Sequence, residues 1–400
     1  MNYRFSRGAE RIGTSAIREI LKAAQARNTI SFAGGLPAED LFPVQLLRQA
    51  YHTAFAESPR ILQYAPTEGL LSLRELIACH LAERGMTVSP DQIQLTTGSQ
   101  QVIDLAVKIL VDPGDAILVE NPTYLAALQV FQLHGATVIA VPTDADGPLP
   151  DVLQRLLDNH NPRLFYANPT YANPTGSVWS LERRKAVIEL CHTSGTVILE
   201  DDPYGMLKYD EDPPIPSLLA LDPPDNDGIT LYAGTFSKTV APGMRVGWAA
   251  GPTPIIRQLT RAKQAADLQS SYIEQAALTN LLATFSLDDH VRQLRKVYGE
   301  RRDTMVRELR SLDSVAPLHF QTPRGGMFVW VEAPPEVNTA ELLPVAVERG
   351  VAFVPGAPFY VSDVATNTMR LNFSHSSPDV IVRGVQFLGD ALREFMAGAR

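Results

Sequence analysis

The chain has 400 residues, 45% of them hydrophobic and 20% charged, and a net charge of −9. That is the balance of a folded protein with a large buried core, and an acidic excess of this size does not attract nucleic acid or anionic membranes. The basic start, MNYRFSRGAERIGTS, has no apolar stretch behind it and no run is long enough to span a bilayer, so a cytoplasmic protein with no membrane or nucleic-acid partner is expected.

In chain order, residues 1–46 carry a helical pattern, TSAIREILKAAQ, and then SFAGGLPAEDLFP, a Gly/Pro-rich segment expected to pack against a smaller domain rather than fold alone. From about residue 90, short runs rich in Val, Ile and Leu alternate with helical patterns. Strands are expected at QIQLTT (92–97), AILVE (116–120), TVIAV (137–141), RLFYA (163–167), TVILED (196–201), ITLYAG (229–234) and RVGWAA (245–250). SQQVIDLAVKIL and SLERRKAVIELCHTSG, lying between strands, have apolar residues at helical spacing. Alternation of this kind predicts an α/β domain, a mostly parallel sheet with helices on both faces. Beyond residue 285 a long charged helical stretch, DDHVRQLRKVYGERRDTMVRELRSL, leads into GGMFVWVEA, a helix at ELLPVAVERG, the runs VAFVPG and TMRLNFS, and a last helix. This predicts a smaller α+β domain. The expected division is 1–46 as a substrate-covering segment packed with the small domain, 47–290 as the large domain and 291–400 as the small one. Cys79 and Cys191 each fall inside a helical pattern and read as buried structural thiols, and no His or Cys spacing suits a metal.

In an open parallel sheet, ligands sit beyond the carboxyl ends of the strands. After QIQLTT comes Gly98-Ser99-Gln100 at a helix start, which suits an anion such as phosphate or serves only as an N-cap. After TVILE come Asp201 and Asp202, a solvated turn or a partly buried carboxylate that needs a cationic or N–H partner. After AILVE comes Asn121-Pro122-Thr123-Tyr124, and after RLFYA a doubled Asn-Pro-Thr beginning at Asn168 and Asn173. Lysine is scarce, seven against 28 arginines, yet Lys238 sits in GTFSKTVAPGMRVGW among small residues with Arg245 seven positions on. A phosphate cradle, a buried carboxylate, an aromatic at Tyr124 and this lysine on one sheet edge together fit pyridoxal phosphate.

The ordered set TSAIREIL, SFAGGLPAEDLFP, LQYAPTEGLLSLRELI, TTGSQQ, NPTY, NPTG, EDDPYG, GTFSKTVAPGMRVGW, GGMFVW and MRLNFS covers nearly the whole chain. It resembles the fold-type I, class I/II aminotransferases, most closely the branch of the 2-aminoadipate and kynurenine enzymes. The resemblance implies a fold-type I transferase with a seven-stranded, mostly parallel sheet, pyridoxal 5′-phosphate as cofactor, and a homodimer with shared active sites. It assigns Lys238 to covalent cofactor binding and proton transfer, and Asp201 to the ring nitrogen. Tyr204 and Asn173 fall to the phenolic oxygen and Tyr124 to stacking on the ring. Ser99, Gln100, Thr235, Ser237 and Arg245 form the phosphate site, to which Tyr64 reaches from the neighbouring subunit. Arg370 becomes the clamp for the substrate's α-carboxylate, with Gly35 and Asn173 beside it. Three departures are visible: Thr235 stands where Ser is common, Ala172 precedes NPTG where Gln is usual, and Asn168 duplicates the motif.

The reaction implied is transamination between an L-amino acid and a 2-oxo acid, 2-oxoglutarate by expectation, in a ping-pong sequence. Arg18 in SAIREIL either pairs with a side-chain carboxylate, favouring 2-aminoadipate and glutamate, or is a solvated arginine on an amphipathic helix, which leaves aromatic and aliphatic substrates open. The same cofactor also serves racemases and β-lyases. Aminotransferase-like domains occur in some transcription factors too, but the segment before the first sheet strand is filled by the enzyme's own motifs, which argues against a DNA-binding module.

Overall fold

The computed structural model describes residues 3–13, 20, 22, 29–225 and 227–398. The helical pattern expected over 14–25 falls outside these, apart from residues 20 and 22. A seven-stranded sheet forms the centre. Numbered in chain order, its strands are β1 (Ile93–Thr96), β2 (Ala116–Glu120), β3 (Thr137–Val141), β4 (Leu164–Ala167), β5 (Val197–Asp201), β6 (Thr230–Thr235) and β7 (Gly247–Ala250). Their spatial order is β1-β7-β6-β5-β4-β2-β3. Every neighbouring pair is parallel except those of β7, which runs antiparallel to both β1 and β6.

The strands read as unbroken apolar runs because both faces are covered. Ile117, Val119, Tyr166 and Leu199 pack on one side with Val102, Ile103 and Phe131. Leu118, Phe165 and Ile198, one residue out of phase, pack on the other side with Trp179 and Val187. The helices Ser99–Leu110 and Leu181–Ser194 coincide with two of the expected helical patterns. Cys191 is buried on the second of these, whereas Cys79, on the helix Leu71–Glu83, is exposed, which corrects the expectation from the sequence. Its helix buries Leu73, Ile77 and Leu81, and Cys79 lies off that stripe.

The helix Leu287–Arg310 leads to a three-stranded antiparallel sheet of β8 (Phe328–Glu332), β9 (Val354–Pro355) and β10 (Thr368–Asn372), ordered β8-β10-β9. The helices Thr339–Arg349 and Pro378–Gly398 cover it. The amino-terminal segment joins this unit: Ile30–Ser31 pairs in parallel with Val351–Ala352, and Asn372 donates its amide to the carbonyl of Phe32 at 2.8 Å. Among the described residues no helix is long and apolar enough to cross a membrane.

Candidate active site

The carboxyl ends of β1, β2, β4, β5 and β6 face one cavity of about 270 Å³, lined by Gly35, Ser99, Gln100, Tyr124, Asn168, Asn173, Asp201, Tyr204, Thr235, Ser237, Lys238, Arg245 and Arg370, with Pro203 and Pro242. β7 runs the other way, so Arg245 just before it reaches the same edge. The cavity therefore gathers residues from Gly35 to Arg370, and it includes each sequence-predicted site residue except Tyr64 and Arg18. Tyr64 lies on the surface, 76% exposed, and Arg18 is outside the described residues.

One end of the cavity is built for an anion. Gly98, with φ of 75°, turns the chain from β1 into the helix Ser99–Leu110, whose opening N–H groups, on Ser99 and Gln100, have no intrahelical acceptor. A Cβ at Gly98 would lie 2.5 Å from Nη2 of Arg245, so only glycine lets the guanidinium close over this turn. Arg245 itself sits in the left-handed region, φ 53°. Thr235 Oγ1 donates to Ser237 Oγ at 2.9 Å, and both hydroxyls are buried at the rim. Tyr124 OH donates to Gln100 Oε1 at 3.4 Å.

At the other end lies a carboxylate with one oxygen uncommitted. Asp201 is 3% exposed; its Oδ2 accepts a 2.6 Å hydrogen bond from Tyr166 OH, while its buried Oδ1 has no partner among the described residues. Burial, opposed by the Tyr166 hydrogen bond, pushes its acid up to about 7. A buried acceptor left open in this way calls for a donor, and a cationic N–H of a bound group would supply one.

Lys238 lines the same cavity and donates from Nζ to the carbonyl of Gly35 at 2.8 Å. Loss of hydration, with Arg370 and Arg245 nearby, pushes its ammonium down to about 8, so a useful share is the neutral amine near physiological pH. Arg370, 2% exposed on β10, donates from Nη1 to Asn173 Oδ1 at 2.7 Å and from Nη2 to the carbonyl of Ala33 at 2.8 Å, while its Nε is buried without a partner among the described residues. Its guanidinium lies 4.2 Å from the ring centroid of Phe328 and 5.2 Å from that of Phe359. Burial pushes it down to about 10, which still leaves it cationic. An arginine held this way keeps donors free for a carboxylate.

Two contributors are additional to the sequence-predicted set. Asn168 donates from Nδ2 to the carbonyl of Asp201 and accepts from the amide of Asn173 at 2.6 Å, so the first of the two Asn-Pro-Thr copies braces the second. Its sequence signal is the duplication. Tyr166 carries none, since a tyrosine within RLFYA reads as core. A larger cleft of about 660 Å³, bordered by Arg84, Tyr171, Asp202 and Arg295, includes none of the predicted site residues. Among the described residues no cluster of His, Cys, Asp or Glu suits a metal ion.

The model of the family "Aminotransferase class I and II" matches residues 27–388. The 2-aminoadipate transaminase of Thermus thermophilus is 37% identical, over 98% of this chain and 97% of its own. Aromatic-amino-acid aminotransferase 1 of Thermococcus litoralis is also 37% identical, over 98% of this chain and 94% of its own. The crystal structure of the α-aminoadipate aminotransferase LysN from Thermus thermophilus, complexed with N-(5′-phosphopyridoxyl)-L-leucine, superposes with a TM-score of 0.90 at 36% identity, covering 98% of each chain.

Proposed function

The chain belongs to the class I and II aminotransferases and is a pyridoxal-phosphate-dependent transaminase of the fold-type I class, and from that premise we propose that it passes the amino group of an L-amino acid to 2-oxoglutarate in two alternating half-reactions. The observation that carries the reading is the open, buried Oδ1 of Asp201, set in one cavity with a partly neutral Lys238 and the carboxylate-ready Arg370.

The residues present fit the cofactor: an unpartnered carboxylate oxygen for a pyridinium, and a glycine-dependent cradle closed by Arg245 for a phosphate. Bound, pyridoxal phosphate supplies an electron sink for the charge left when the substrate's Cα–H bond breaks. Ser99, Gln100, Thr235, Ser237 and Arg245 would hold its phosphate, and Asp201 its ring nitrogen. Tyr204 and Asn173 would hold its phenolic oxygen, and Tyr124 would stack on the ring. Arg370 grips the substrate's α-carboxylate through its free donors, with the Gly35 segment beside it, and so fixes how Cα presents its proton. Lys238 Nζ, acting as a neutral amine, would take that proton from Cα and, as the ammonium so formed, deliver it to the cofactor carbon that keeps the amino nitrogen. Asp201 would hold the ring-nitrogen proton, which would keep the sink strong.

For the donor we propose 2-aminoadipate and glutamate first, with aromatic and aliphatic amino acids as a broader class. The support is the naming of the relatives, one acting on 2-aminoadipate and another on aromatic amino acids. We further propose a cytoplasmic homodimer in which Tyr64, exposed on each protomer, completes the phosphate site of the other.

The test is an absorbance titration of the cofactor-loaded protein with L-2-aminoadipate, L-glutamate, L-leucine and L-phenylalanine, with product analysis. The expected result is loss of the yellow band with formation of the matching 2-oxo acid, tightest for 2-aminoadipate. Products of racemisation or β-elimination, or a band that persists with all four, would overturn the reading.

A further inference from the structure

One hydrogen bond at the cavity wall is donated by a residue that does not itself line the cavity. Tyr166 is fully buried on β4, beside Leu199 of β5, with which it is in parallel register. Asp201 lies two residues further along β5 on the same face. A strand advances about 3.3 Å per residue, so two residues match the reach of a tyrosine from Cα to its hydroxyl. The ring leans along the strand direction and ends on Asp201 Oδ2 at 2.6 Å, and Phe131 packs edge-on against it with centroids 5.7 Å apart. Register, reach and packing thus determine where the hydroxyl points.

Among the described residues, that hydroxyl is the only donor to the Asp201 carboxylate. Everything else nearby works against charge at Asp201 or is committed elsewhere. Asp202 adds like charge, and Tyr124 and Tyr204 feel the carboxylate without a hydrogen bond to it. Lys238, Arg245 and Arg370 line the same cavity and donate to Gly35, to Thr97 and Pro242, and to Asn173 and Ala33 respectively. A buried carboxylate with neither oxygen satisfied reverts to the neutral acid, and a neutral acid cannot hold a pyridinium proton. The Tyr166 hydrogen bond opposes the protonation that burial favours, and with Oδ2 engaged it leaves Oδ1 as the open acceptor of a carboxylate that lines the cavity.

We propose that Tyr166 is a positioning residue of the reaction: by donating to Asp201 Oδ2 it keeps the carboxylate ionised and turned so that Oδ1 meets the cofactor's ring nitrogen. The inference rests on the assignment of Asp201 to that nitrogen. It predicts a division of labour in which Asp201 touches the cofactor, and Tyr166 acts only through Asp201.

The experiment uses holoenzyme loaded with cofactor labelled with ¹⁵N in the ring, as wild type, Tyr166→Phe, Asp201→Asn and the double variant. Tyr166→Phe keeps the ring and its packing and removes only the donor. In wild type the ring-nitrogen signal is that of the protonated form across neutral pH. In Tyr166→Phe it moves toward the unprotonated position as pH rises, and kcat falls about 10- to 100-fold with KM little changed, the factor expected for one hydrogen bond to a charged group. In the Asp201→Asn background the Tyr166→Phe step changes cofactor affinity and nitrogen signal little, because its target is gone. An unshifted nitrogen signal in Tyr166→Phe overturns the proposal. So does a loss of equal size in both backgrounds, or a loss traced entirely to lower melting of the apoprotein. Separately, an Asp201→Asn single variant that keeps the protonated signal and full turnover would refute the assignment of Asp201 itself, not the Tyr166 contact.

Discussion

Asp201 and Asp202 are adjacent in the sequence, both buried, and opposite in construction. Asp202 bounds the larger cleft and is fully engaged: Arg84 Nη2 donates to it at 2.6 Å, Tyr232 OH at 2.9 Å and the amide of Gly205 at 2.7 Å. Asp201 faces the smaller cavity with one donor and an oxygen left open. The strand's two-residue period sends neighbours to opposite faces, so one position became a brace and the other a site. An open acceptor at a buried group, more than cavity size, separates the region proposed for the chemistry from the larger cleft.

The largest effect that sharpens this contrast is at Lys238 and Asp201. Lys238→Ala is expected to lose about 10⁴-fold or more in turnover while still binding cofactor noncovalently, and Asp201→Ala roughly 10³-fold; single-turnover kinetics would measure both. Asp202→Ala is the converse. Breaking a buried pair leaves Arg84 uncompensated and costs about 3–5 kcal/mol of stability, visible in denaturant melts, while turnover per folded molecule stays near wild type. Equal catalytic losses at the two positions would break the comparison.

Next in size, Arg370→Ala is expected to lower kcat/KM about 100- to 1000-fold for every amino acid tested, since the contact proposed for it is to the carboxylate they share. A loss confined to acidic substrates would move Arg370 from the α-carboxylate to side-chain reading.

A smaller effect is in the pH dependence of the apoprotein. Burial raises Asp201, Glu120 and Glu200 to about 7 each. From the ordinary carboxylate range up to that value, the folded chain binds more protons than the unfolded one, so these groups lower stability as pH rises. Asp201→Asn should flatten that slope by up to about 1.4 kcal/mol per pH unit, measured by urea melts across the window. An unchanged slope would mean that Asp201 is ionised in the apoprotein throughout. The smallest effect is expected at Tyr64→Phe, about tenfold weaker cofactor retention in a dimer; an active monomer in sedimentation would remove its role.

Much of this architecture is legible in the amino-acid sequence. All seven strands of the large sheet lie within one or two residues of the apolar runs that announce them, because strands buried on both faces leave a continuous signal. The cavity's ionisable groups are legible too, because most of them stand at or just beyond the end of a strand. What the sequence hides depends on contacts rather than residue type. Tyr166 looks like any core aromatic until its hydroxyl is seen to end on Asp201, and Asn168 looks like a copying accident until it braces Asn173. The burial expected of Cys79 fails because a helical pattern does not by itself say which flank meets solvent.

The pairing of Ile30–Ser31 with Val351–Ala352, and the bond from Arg370 to the carbonyl of Ala33, bear on the order of events during synthesis. The proposed cofactor half of the cavity, from Ser99 to Arg245, can assemble while the ribosome is still translating, since its strands lie within one stretch of chain. The proposed substrate half joins residues 337 positions apart and waits for Arg370 to emerge. On the proposed roles, a nascent chain stalled before Arg370 would therefore hold a nearly complete cradle for the cofactor and no grip on an amino acid.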